Sequence, residues 1–283
     1  MNPSPGPDPA DLAVQGAALI ADGRPFEAIE VLRQAMAGGE PSAPDLLLRA
    51  YLASGSWRAV VDWLGPLVDD GHVRFAGRLG VALVELGERE RAETVLRLAV
   101  ESGDVPAAND LAILLRDEGR MVEAVNVLVE AAAAGDQLAA ANVVALHLDA
   151  GDLAAAAAAA ERYATERQPD TVLALAEVRA QQGRHGEAHD LYRRAGQLGA
   201  LRAHTAYGQF LSGTGADPEA VEREFREAER LGEPGSAFAL GRFLYDEGRF
   251  DEARSYLQMA ADEGDRQAVE ALAELDGVEA DEY

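Results

Sequence analysis

The 283-residue sequence has no cysteine and no lysine. Without thiols there can be no disulfide, no thiol nucleophile and no cysteine-ligated zinc or iron–sulfur centre, and a reducing compartment fits. Without lysine there is no Schiff-base chemistry and no Walker-type phosphate lysine. All 25 basic residues are therefore arginine, set against 50 acidic ones for a net charge of −25. Such a chain repels phosphate backbones and anionic membranes, so nucleic acid is not an expected partner and a basic protein is the easier one. No apolar run approaches the roughly 18 residues needed to span a bilayer, since the longest, Leu153 to Ala160, is almost all alanine. The start is proline-rich and lacks the basic and apolar regions of a secretory signal. A cytoplasmic protein with a loose tail over residues 1–9 is expected.

What is abundant is periodic. Glycine recurs at Gly23, Gly55, Gly87, Gly119, Gly151, Gly183, Gly215 and Gly248, a spacing of 32 six times and then 33. A second series, Gly39, Gly71, Gly103, Gly135, Gly199 and Gly264, keeps nearly the same beat, broken near Arg167 and Glu233. Two turns per period, separated by segments with apolar residues at helical spacing, make each unit a pair of helices. Glycine can take the left-handed conformation that ends the first helix, and a charged residue opens the second, as at Gly119-Arg120 and Gly248-Arg249. Short helix pairs are marginal alone and bury their apolar faces by stacking, so about eight of them form an all-α solenoid over residues 10–265. Residues 266–275 read as a capping helix and 276–283 as an acidic tail.

The fullest unit runs Ala239-Leu240-Gly241-Arg242-Phe243-Leu244-Tyr245-Asp246-Glu247-Gly248-Arg249-Phe250-Asp251-Glu252-Ala253, then Tyr256, Leu257, Ala260 and Ala261. It resembles the tetratricopeptide repeat, and its Ala260-Ala261 to Gly264 ending looks like the Sel1-like relative. Small residues recur in register at Ala28, Ala92, Ala124, Ala156, Ala188 and Ala253, where helices approach closely. The resemblance implies a right-handed superhelix, although a 32-residue period is shorter than the family's and leaves the pitch open. Repeat two, with Val60 at the small position, and repeat five, alanine-saturated from Ala154 to Ala160, are expected to pack more loosely.

Little points to chemistry. His185 and His189 are spaced to share a helix face, but Glu187 sits between them in no metalloprotease pattern, and a structural role is expected. There is no phosphate loop, nucleophile elbow or dinucleotide fingerprint, so neither catalytic residues nor a metal or cofactor is expected. In proteins of this resemblance the first helix of each pair lines the concave wall where ligands lie. Counting back from the turn glycines places Arg74, Asn109, Arg116, Asp170, Glu177, Arg202, Gln209, Arg242, Tyr245 and Asp246 on it. Arginines on such a wall suit an acidic peptide or a carboxyl terminus through forked guanidinium contacts. The expected function is a protein-interaction scaffold that docks a protein or peptide. A peptide-sensing regulatory module and a self-assembling structural component remain alternatives.

Overall fold

The computed structural model describes residues 8–281. Among them are 17 α-helices, and they group into two compact units, Met1–Asp136 and Gln137–Tyr283. The sequence reading treats 10–265 as one array; because repeats touch chiefly their neighbours, such an array can part at a single joint.

In the first unit the pairs are α1 (Pro9–Ala21) with α2 (Pro25–Ala37), α3 (Ala43–Ala53) with α4 (Trp57–Asp69), α5 (Ala76–Glu85) with α6 (Arg89–Glu101), and α7 (Ala107–Asp117) with α8 (Met121–Ala133). The second unit pairs α9 (Gln137–Asp149) with α10 (Leu153–Tyr163), α11 (Pro169–Gln181) with α12 (His185–Leu198), α13 (Ala203–Gly213) with α14 (Pro218–Leu231), and α15 (Ser236–Asp246) with α16 (Phe250–Asp262). A last helix, α17 (Arg266–Asp281), packs on α16. The chain is an all-α repeat solenoid whose turns fall on the glycine beat.

The turn at Gly119 shows how the beat works. Its φ of 76° is left-handed, its N–H donates to the Arg116 carbonyl at 2.8 Å, and the Arg120 N–H reaches back to Leu115 at 2.9 Å. These bonds close the end of α7 and turn the chain into α8. Where the second series lacks glycine, near Arg167, a short bridge between Thr165 and Gln168 makes the turn instead. Thr171 clasps it, donating from its hydroxyl to the Gln168 carbonyl at 2.7 Å and accepting from the Thr165 N–H at 3.0 Å.

Inside the pairs a second kind of glycine sets the spacing. A Cβ on Gly80 would stand 2.5 Å from Leu96, and one on Gly241 would stand 2.9 Å from Leu257. Opposite these glycines lie the fully buried Ala92 and Ala253. At the matching places α3 and α4 carry Leu48 and Val60, both buried, and these two helices share the smallest interface of the eight pairs. The α9/α10 pair, with Val144 at the glycine position, comes next.

The ends differ from the expectation by a few residues. Asp8 caps α1, its carboxylate accepting from the Ala10 N–H at 3.0 Å with Pro9 as the first helical residue, so the helix begins inside the expected tail. Residues 1–7 of that tail lie outside the described residues. At the other end α17 continues past Leu275 to Asp281. No proline stops it, and Asp276 is tied to α16 by an ion pair with Arg254 at 2.6 Å. Residues 282–283 lie outside the described residues.

Candidate functional site

Three of the ten wall residues fall in the first unit. Arg74 is exposed, with its guanidinium 4.6 Å over the Phe75 ring, and it borders a cleft of about 480 Å³ with Asp45, Arg78, Asp104 and Asp110. Burial pushes the Asp110 carboxyl up, and the Asp104 charge adds to the effect. Asn109 is buried, and its amide donates to the Asp136 carboxylate at 2.8 Å. Arg116 pairs with Asp117 beside it at 3.0 Å. The first unit therefore brings one of the three, Arg74, to an open cleft.

The second unit holds the other seven and brings two of them into one cleft of about 400 Å³. Leu148 and Asp149 of α9, Glu177 of α11, Tyr192 of α12, and Gln209 and Phe210 of α13 line it. Alternation of first helices explains this: α9, α11 and α13 stand side by side at the same register, and Tyr192 enters from between. Glu177 is half-buried, and burial raises its carboxyl above the usual range. The positive charge of Arg202 opposes that rise, and Asp149 reinforces it. Burial raises the Tyr192 hydroxyl too, and Glu177 adds to it, which places phenol and carboxylate in one electrostatic neighbourhood. The Tyr192 ring lies 5.0 Å from Phe210 and 5.6 Å from Tyr207. The result is a half-buried carboxyl group in a cleft lined by aromatic side chains, an arrangement that attracts a cationic side chain by charge.

Of the remaining wall residues, Asp170, Arg242, Tyr245 and Asp246 have intramolecular partners, and Arg202 is exposed. Asp170 accepts the Leu201 N–H at 2.8 Å and so holds the joint to the next repeat. Arg242 reaches Glu274 of α17 at 2.9 Å and Asp246 at 3.6 Å, with its guanidinium 5.0 Å over Tyr245. Counting put these residues on the wall without showing that the neighbouring repeat or the last helix engages them.

Sequence reasoning missed two features. One is the aromatic cluster at α12 and α13, where His185 lies 5.9 Å from Phe210 and His189 meets Tyr207 edge-on at 5.5 Å. The two histidines singled out for their spacing thus pack on rings. Among the described residues no group of three histidines or carboxylates gathers to hold a metal. The other is an ion-pair staple between repeats. Arg120 binds Glu93 of the preceding second helix at 2.8 Å and Glu123 of its own at 2.7 Å. Arg249 repeats this with Glu222 at 2.8 Å and Glu252 at 2.7 Å. Arg120, with Arg97 behind it, holds the Glu93 carboxyl down at about 2 against the effect of burial. Gly-Arg-x-x-Glu recurs at Gly23, Gly119, Gly183 and Gly248, but at Gly23 and Gly183 its arginine pairs, among the described residues, only within its own helix, so the signal for the staple is the motif together with Glu93 or Glu222 in the preceding second helix.

No protein-family model and no curated protein sequence matches this chain. Solved structures do. Yeast Tom70 is similar over 99% of this chain and 66% of its own, at 10% identity and a TM-score of 0.70. A tetratricopeptide repeat protein from Parabacteroides merdae is similar over 94% of this chain and 96% of its own, at 14% identity and a TM-score of 0.54. The Cut9–Hcn1 hetero-tetramer of APC/C is similar over 93% of this chain and 55% of its own, at 14% identity and a TM-score of 0.51. At such identities the likeness is one of fold, and the fold is that of the tetratricopeptide-type repeat arrays.

Proposed function

We propose that this tetratricopeptide-type solenoid is a protein-interaction scaffold, and that its second unit docks a basic segment of a partner at the Glu177 cleft. The observation that carries the reading is the half-buried carboxyl of Glu177 in one cleft with Tyr192, Phe210 and Asp149. A guanidinium or ammonium entering there gains a charge-assisted bond to Glu177. A net charge of −25 draws basic partners to the chain as a whole. The Cut9–Hcn1 neighbour is a hetero-tetramer, which supports a role for this fold in holding other chains.

This reading differs from an acidic peptide clamped by Arg202 and Arg242. Arg242 is bound by Glu274 and Asp246, whereas Arg202 has no ion pair and sits close enough to Glu177 to moderate its charge. Selection of peptides from a random displayed library tests the choice. Sequences centred on arginine or lysine with apolar neighbours are expected to bind saturably, and Glu177→Gln is expected to weaken them about tenfold. Selected peptides that are acidic and released by Arg202→Glu would replace this reading with the arginine clamp.

A further inference from the structure

A second cleft, of about 490 Å³, opens between α12, α13 and α14, and its chemistry is of the opposite sign. Arg193 of α12 and Arg223 of α14 line it, both exposed and neither in an ion pair among the described residues. Their neighbours on the same helices are engaged: Arg194 with Glu166 at 2.8 Å, Arg226 with Glu222 at 2.7 Å, and Arg230 with Glu227 at 2.5 Å. In a chain with two carboxylates for every guanidinium, this cleft is lined by two arginines and one carboxylate, Glu224, while Glu227, Glu233 and Asp190 act on His204 and Tyr207 from outside it.

Three further observations bear on the same space. Both guanidinium groups act on the Tyr207 hydroxyl, drawing it down while burial, first among the causes, and Glu224 and Asp190 push it up. The carboxylate lining the cleft, Glu224, is bound to His204 Nδ1 at 2.9 Å, so its charge is partly answered. Gly196 leaves the other side of that imidazole open, since a Cβ there would stand 3.3 Å from His204 Nε2. Arg193, Arg223, His204 and Tyr207 thus line one opening.

We infer that the cleft between α12, α13 and α14 is an oxyanion site that takes a phosphate group, held by Arg193 and Arg223 with His204 and Tyr207 as further hydrogen-bond partners. Arginine forks match the oxygens of phosphate, and two of them suit its double charge better than the single charge of a carboxylate. The site is independent of the Glu177 cleft in charge and in ligand.

The test is calorimetric titration of the full chain with phenyl phosphate, inorganic phosphate and benzoate, repeated on Arg193→Gln, Arg223→Gln and, as a control outside the cleft, Arg230→Gln. Saturable phosphate binding that falls about tenfold in each of the first two variants and is unchanged in the third is expected. Tighter binding of phenyl phosphate identifies a phosphate ester as the ligand, and equal or tighter binding of inorganic phosphate identifies the free ion. In the unaltered protein, amide shifts on adding phosphate should centre on Arg193, His204 and Tyr207. Absence of saturation, equal loss in Arg230→Gln, or benzoate binding as tightly as the phosphates would overturn the assignment.

Discussion

The pairs α3/α4 and α5/α6 are consecutive, turn on the same left-handed glycine at Gly55 and Gly87, and are built from helices of similar length. They pack differently. In α5/α6 a glycine faces a leucine with no room for a Cβ, and a buried alanine completes the close approach. In α3/α4 Leu48 and Val60 fill those places, and the helices are held farther apart. The arginine that four other repeats place in Gly-Arg-x-x-Glu is absent there: after Gly55 comes Ser56, bonded to Ser54 at 2.7 Å, and the link to the next repeat runs with its charges reversed, from Arg58 of α4 to Glu88 at 3.1 Å. The repeat beat therefore specifies the turn, while two positions inside the pair specify how tightly the hairpin closes.

The largest test of that contrast is Gly80→Leu. It inserts a side chain where Leu96 already stands, and we expect a loss of about 3 kcal/mol in chemical denaturation. Next comes a reciprocal exchange. Ala92→Val should destabilise α5/α6 by overpacking, and Val60→Ala should destabilise α3/α4 by leaving a cavity, each by about 2 kcal/mol. If Val60→Ala stabilised the protein, the wider spacing of α3/α4 would be strain and not fit. Smaller again is the staple. Glu93→Gln should cost about 1 kcal/mol at neutral pH, because the side chains are partly solvated. Glu93 is held below its ordinary 4.5, at about 2, so its contribution is present above pH 4.5 and fades as the pH falls through 2. Thermal melts of wild type and Glu93→Gln should therefore converge between pH 5 and pH 2.

The turns were legible because only glycine meets their backbone demand without strain, and a backbone demand repeats with the fold. The departure of repeat two was legible at Val60, since a branched side chain stood where its equivalents were alanine. The glycine partner of that alanine, at Gly80 and Gly241, went unread because it does not sit in a turn and its reason is a contact between helices. Side-chain engagement was hidden for the same reason. Asp170 lies on the wall by counting, yet its partner is a backbone amide 31 residues later. Glu177 lies on the wall too, and only the arrival of Tyr192 from the following helix makes its place a cleft. The end of α17 escaped because no proline or capping signal marks it, and the run of acids at 276–283 reads as solvated on composition alone.

Glu177→Gln addresses the central claim most directly, because stability and binding should move in opposite directions. Burial raises the folded-state carboxyl, so ionising Glu177 costs stability as the pH rises through the ordinary carboxylate range, and the amide should raise the melting temperature at neutral pH. The same change removes the charge that receives a basic side chain. Measured together on the full chain, a higher melting temperature with about tenfold weaker binding of selected basic peptides is the predicted result. Unchanged peptide affinity in the stabilised variant would contradict the assignment of the Glu177 cleft as the docking site.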